Sequence, residues 1–309
     1  MHKTLVDDWL ASKERVVLPD MQPLENYDGI HAPVENVEKM NTLPEIDPKV
    51  KEAAANFFQL KYLKEEVDQA ADLPVLGPYK ITIDDSVYIG QFKDGLRHGR
   101  GMQISEDGPI YEGMWEKGKS NGYGRMIHNG GDIYEGNWVD SKASGFGVYL
   151  YTDGTLYTGE WLLDIQHGRG YETLSDDSHY DGTYVSGKKH GHGTFSWKDG
   201  SSFIGGFKKN DANGKGTYTW PDGRNYTGHW KANKMSGFGI LKWLDGRCYE
   251  GQYMNDKKHG FGKFTWPDGR VYDGLWKDGK QSGYGEFNDV SGVFKTGIWG
   301  TGRWLEWLN

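Results

Sequence analysis

From Tyr88 onward, large apolar side chains, glycines and polar residues return at fixed intervals. Tyr or Phe stands at 88, 111, 134, 157, 180, 203, 226, 249 and 272, always 23 residues apart. Two residues after each comes glycine, from Gly90 to Gly274. Two further on comes an aromatic: Phe92, Trp115, Trp138, Trp161, Tyr184, Phe207, Trp230, Tyr253 and Trp276. Paired glycines recur 11 and 13 residues into each unit, from Gly99 and Gly101 to Gly283 and Gly285, and further aromatics follow them, as in Gly214, Gly216, Tyr218 and Trp220. Both segments alternate with period two, so their rings and glycines share one face of a strand. Most units then show Asp-Gly, as at Asp153-Gly154, Asp199-Gly200, Asp222-Gly223, Asp245-Gly246 and Asp268-Gly269. Both residues tolerate the positive φ of turns, and Pro221 or Pro267 presets φ just before.

Each unit is therefore predicted to be a β-hairpin, and the fold class an all-β repeat solenoid: an elongated, twisted stack of antiparallel hairpins. One hairpin cannot bury its apolar face alone, whereas stacked neighbours can. A sheet face crowded with rings needs space beneath them, which glycine supplies. The aromatic columns are accordingly expected to lie over the glycine columns of the next strand. Two strands per unit at about 4.8 Å give a stack of roughly 90 Å. The unit at Lys295 keeps Gly297 and Trp299, so nine full repeats plus a half are expected over 88–299. The tail 300–309 reads as a Trp-rich cap, with Trp304 and Trp307 covering the last edge; the alternative is a homodimer contact.

Residues 1–79 lack this period. They hold 8 Lys+Arg against 15 Asp+Glu, and seven of the ten prolines. Asp47 can cap a helix and Pro48 suits its first position. Val50, Ala54, Phe57, Leu60 and Val67 then form one apolar stripe, which predicts a helix over about 48–71. A second, shorter helix is expected from Leu5 to Glu14. Pro19, Pro23, Pro33 and Pro44 punctuate the rest, so 1–79 reads as an acidic, mostly extended, partly helical arm. Phe57 and Leu60 are candidate partner contacts, and the long helix is expected to be held by a partner more readily than by its own array.

Composition narrows the function. The 309 residues include 46 Gly, 13 Trp, 19 Tyr and 12 Phe; average glycine usage would give about 22. Glycine excess with this many rings argues for packed structure, and the lack of a three-residue glycine period excludes collagen. The net charge of −8 argues against general nucleic-acid binding, which needs a basic footprint. The single cysteine, Cys248, excludes an internal disulfide and fits a reducing compartment. Neither a transmembrane run nor a secretory signal core appears in the sequence. The expected setting is intracellular, cytoplasmic and soluble.

The units, such as the one opening Tyr249-Glu-Gly-Gln-Tyr253 and ending Trp266-Pro-Asp-Gly269, resemble MORN repeats (membrane occupation and recognition nexus). The resemblance covers Tyr88 to about Trp299. It departs at Asp177, where a turn glycine is usual, and at Lys295, which replaces the opening Tyr. MORN arrays occur in junctional membrane proteins, phosphatidylinositol phosphate kinases, a histone methyltransferase, cytoskeletal scaffolds and ciliary radial spokes. The resemblance implies a hairpin solenoid used as a rod or adaptor, with any catalysis on a separate domain.

No such domain is legible. Kinase motifs and a phosphate-binding Gly-x-x-x-x-Gly-Lys-Ser/Thr are absent from the sequence, so the protein is expected not to be an enzyme and to need no cofactor. His98, His167, His190 and His259 share one repeat column with Asn and Ser, which marks a turn position. His190 and His192 lack the further ligands of a metal site, and no metal is expected. Two surface features could carry recognition. The residue between the paired glycines faces away from the rings and is Tyr123, Phe146, Phe238, Phe261 or Tyr284 in five units. These read equally as backbone shields or as a strip for a protein partner. Charge is also uneven. Residues 80–179 hold 9 Lys+Arg and 16 Asp+Glu, a net −7; residues 180–285 hold 17 and 10, a net +7. Lys188, Lys189, Lys208, Lys209, Lys257 and Lys258 form its basic runs and are the electrostatic candidates, against a reading as scattered solvated charge. The expected function is a scaffold in a cytoskeletal assembly, the ciliary axoneme foremost, with other proteins as partners. A peripheral membrane tether is the alternative.

Overall fold

The computed structural model of the chain describes residues 15–17, 37–39, 48, 61–63, 73–81 and 85–308. Two compact units divide it, Met1–Ser175 and Asp176–Asn309. The first holds nine array strands, from Val75–Ile81 to Ile165–Thr173, and the second holds twelve, from His179–Val185 to Arg303–Trp307. Within the first unit each array strand pairs antiparallel with its sequence neighbours. The second unit follows the same rule. Each is thus an open hairpin meander, and no helix lies among the array strands.

One repeat shows why the sequence folds this way. Tyr134 lies on Ile133–Val139 and is 2 % exposed. Its hydroxyl donates to the carbonyl of Asn137 at 2.9 Å, so the ring folds across Gly136 on its own strand. Gly147 on the next strand is directly opposite Gly136. A methyl group on Gly147 would come 2.5 Å from the Tyr134 ring. The expected seating of rings on glycine therefore holds, and one ring covers two glycines. The same hydroxyl-to-carbonyl bond recurs at Tyr111, Tyr157, Tyr249 and Tyr272. Edge-on packing then runs through neighbouring repeats: Tyr134 meets Trp138 at 5.1 Å and Trp161 of the next repeat at 5.1 Å, the geometry that aromatic quadrupoles favour.

In the five full repeats with tryptophan at this column, the indole also reaches backward. Trp138 Nε1 donates to the carbonyl of Gly124 at 3.0 Å, and Trp276 Nε1 to that of Gly262 at 2.7 Å. Phe and Tyr cannot make that bond, which is a reason for tryptophan at this column.

The two glycines of each pair have different reasons. The second lies under the ring, but the first sits at a bulge. Gly237 has φ +72°, and the register with Asn225–Lys231 shifts between Gly228 and Trp230. A side chain there would be strained whatever the space. Each repeat also has two turns. Asp-Gly joins successive repeats, with Gly223 N donating to Trp220 O at 2.9 Å, and Asp177 fills the glycine's place at φ 68°. The turn inside the hairpin is a separate pair with positive φ at both residues, for example Ala232 (48°) and Asn233 (64°). That is the form whose twist matches flanking strands.

The helix expected over 48–71 is not what Lys61–Leu63 forms. Those residues are a strand, antiparallel to Arg15–Val17, where a ladder with β-branched Val16 and Val17 overrides the local helical spacing. Lys61–Leu63 also runs beside Lys119–Ile127 of the array. Val37–Lys39 pairs with Val75–Ile81. Pro48, at the expected start of that helix, is helical; the rest of it outside 61–63, with Phe57 and Leu60, and the Leu5–Glu14 helix lie outside the described residues.

Candidate interaction surface

Every full repeat's strands have one face in the ring stack and one turned away from it. On the ring side the opening tyrosines' hydroxyls and the indoles are engaged as above, while the Tyr253 hydroxyl is buried without a hydrogen-bond partner. Burial pushes the Tyr226 and Tyr272 phenols up to about 12, so they stay neutral donors. The groups available to other molecules lie on the opposite face and at the turns.

The expected aromatic strip divides between the units. In the first, Tyr123 is 1 % exposed and its hydroxyl donates to Glu135 at 2.6 Å. Nearby Arg125 is buried and pairs with Glu112 at 3.2 Å. Tyr123 is thus a packed residue, contrary to its reading as a surface ring, and Phe146 is half-buried. In the second unit Phe238, Phe261 and Tyr284 are exposed, Phe261 by 65 %. They do not touch one another. Gln252 lies opposite Phe238 and Leu275 opposite Phe261 on the intervening strands, so the rings are spaced by two strands, about 9.6 Å.

The lysines also divide. Lys188, Lys208, Lys209 and Lys257 are exposed. Lys189 and Lys258 differ from the expected solvated pattern, because their strand positions carry them to the ring side. Lys258 Nζ lies 4.3 Å from the Phe264 ring centre, 4.8 Å from Trp276 and 4.9 Å from Tyr249. Burial, with Arg247 adding repulsion, brings its pKa down to about 8. Lys189 sits 5.2 Å from the Tyr180 ring centre. In both hairpins the residue opposite the lysine is Tyr, at 184 and 253, where most repeats carry Trp. That pairing was visible in the sequence but has meaning only once the register is known.

At the C-terminal edge, Trp307 lies opposite Gly297 and 5.7 Å from Trp299, while Trp304 is 49 % exposed. Trp307 supplies a ring in the unit where Lys295 replaces the opening Tyr. Two hollows open on the outer face of the second unit, lined in part by Lys208, Lys231, His229 and Phe238. Among the described residues no group of three His, Cys, Asp or Glu converges as metal ligands do. No helix among them is long and apolar enough to cross a membrane.

Hairpins repeating every 23 residues with a ring-and-glycine core define a tandem β-hairpin repeat protein. More particularly, the chain belongs to the MORN-repeat family, whose model matches residues 88–109, 111–133, 134–156, 157–179, 180–202, 203–223, 226–246, 249–269 and 272–293. This is a structural repeat family. A comparison with curated proteins finds no match. Among solved structures, the chain is similar to the TCP10 domain of Danio rerio CPAP at 12 % identity and TM-score 0.38, over 67 % of this chain and 98 % of that one. It is similar to the TCP10c domain of Drosophila melanogaster Sas-4 at 12 % identity and TM-score 0.19, over 64 % and 91 %. A virginiamycin B lyase from Staphylococcus aureus matches at 10 % identity and TM-score 0.14, over 70 % and 81 %. These scores are too low to carry a functional argument.

Proposed function

We propose that the protein is a non-catalytic scaffold or adaptor of a cytoskeletal assembly. Its setting is the ciliary axoneme, in a radial-spoke-like role, with other proteins as partners. The chain is organised for this as an acidic arm over 1–79, an array over 88–299 and a terminal segment over 300–309. The observation that carries the reading is the use of the ring face. Its hydroxyls and indole N–H groups bond to backbone carbonyls, while large apolar groups of the second unit, such as Phe238 and Phe261, face solvent. Polar groups locked in packing are suited to stiffness, and exposed rings to protein contact. The axonemal setting follows the use of MORN arrays in radial spokes.

Tagging the protein in ciliated cells tests this. It is expected in axonemes and to remain there after detergent extraction. A diffuse or detergent-released signal overturns the cytoskeletal reading. Flotation with anionic liposomes would favour the membrane tether in its place.

A further inference from the structure

An uncharged row on the outer face crosses five strands of the second unit. In register, Thr194 faces Ile204, Ile204 faces Thr217, Thr217 faces Thr227, and Thr227 faces Ile240. Glu250, opposite Ile240, ends the row. Ile204 is 51 % exposed and Phe238, two residues from Ile240, is 49 % exposed. The two hollows, of about 410 and 580 Å³, meet here and share His229 and Phe238. Lys208, Lys215 and Lys231 line them, and no carboxylate does.

Backbone groups on both sides of these strands are taken by their neighbours, so a ligand cannot join as an added strand. It must be held by side chains. Apolar groups at the centre favour a ligand that buries hydrocarbon, and lysines with no carboxylate among the lining residues favour one that is acidic, although Asp211 lies opposite Lys208. The row spans four strand spacings, about 19 Å, which about six residues of extended chain would match.

We propose that this row is the docking site for an extended acidic segment of a partner protein, with apolar side chains set between its carboxylates. The proposal rests on the scaffold reading and specifies the chemistry of one contact. An anionic membrane would satisfy the lysines, but a planar headgroup layer would leave Ile204 and Ile240 in their hollow without apolar cover.

The full chain is to be screened against two libraries of twelve-residue peptides. One alternates Asp or Glu with Leu, Ile or Phe; the other replaces every acid by Lys or Arg. Selective enrichment of acidic peptides is expected. The best binder should weaken at least tenfold on Phe238→Ser, and again on joint reversal K208E/K215E/K231E. The joint reversal K257E/K277E/K280E should leave it unchanged, with circular dichroism confirming the fold of each variant. Equal enrichment of both libraries, or binding indifferent to both site variants, overturns the proposal. Vesicles of phosphatidylserine and phosphatidylcholine bound through the three lysines, with no peptide enriched, would assign the face to a membrane and overturn it as well. Wild-type axonemal localisation retained alongside any of these results removes this site and leaves the scaffold reading standing.

Discussion

A tyrosine ring spread across two bare backbone positions is the smallest unit of this molecule, and its tolerance is correspondingly low. Gly147→Val places branched carbon against the Tyr134 ring, which a methyl group alone would approach to 2.5 Å. A loss of about 2–4 kcal/mol is expected, read as a lower melting temperature. Gly130→Ala, with nothing within 4 Å, should leave the midpoint unchanged. These columns were legible because steric need writes itself as an invariant spacing. Lys258 was not, since a lysine beside a turn looks solvated until the register carries it among the rings. Its pKa, near 8 in the fold, lies below the usual 10.5 of an unfolded lysine. Between those values the unfolded chain holds the proton more tightly, so stability should rise with pH across that window. Below about pH 8 the full cost of the buried charge is present, offset in part by the ring faces. Denaturant midpoints measured from pH 7.5 to 9.5 should climb in the wild type, and Lys258→Met should flatten the climb.

At the scale of the hairpin, the inner turns bind one repeat to the one before it. Asn233 donates its backbone N–H to Ala212 O at 3.1 Å and accepts from Ala212 N through its side chain at 2.6 Å. Asp164 repeats the pattern on Ala143, and Asp256 on Met235. Asn233→Gly keeps the positive φ and removes only the side-chain bonds, so it should cost about 1 kcal/mol. A smaller loss in urea midpoint would mean that water replaces the cap. The strands were legible from alternation, and the turns between repeats from Asp-Gly. The inner turn was less so: Asp94-Gly95 and Asp278-Gly279 have a turn dipeptide's composition, but Ala232-Asn233 and Leu163-Asp164 do not, although both residues of each have positive φ. The bulge glycine was likewise hidden, since Gly-x-Gly reads as plain alternation.

At the scale of the chain, equivalent positions acquire different fates. Tyr123 and Phe238 occupy the same repeat column, yet one is buried and the other exposed. The Tyr123 hydroxyl is held by Glu135, a bond that Phe238, with no hydroxyl, cannot make. Within the arm, strand pairing at a distance decided residues 61–63. Charge, in contrast, was countable in advance. Although the chain is net −8, residues 180–285 carry a net +7. It should therefore be retained on a cation exchanger at pH 7 and low salt. Reversing Lys208, Lys215 and Lys231 should shorten that retention markedly, and reversing Lys119 and Lys142 should not.

The backward reach of the indoles gives the array a polarity that a symmetric stack would lack. Removing a final repeat takes its indole away too, and the carbonyl left behind can hydrate. Removing an initial repeat takes the acceptor away and also bares the following indole ring to water, as Trp138 would be without Gly124. Unravelling should therefore proceed more cheaply from the C-terminal end. Under tension, the molecule would peel in one preferred direction.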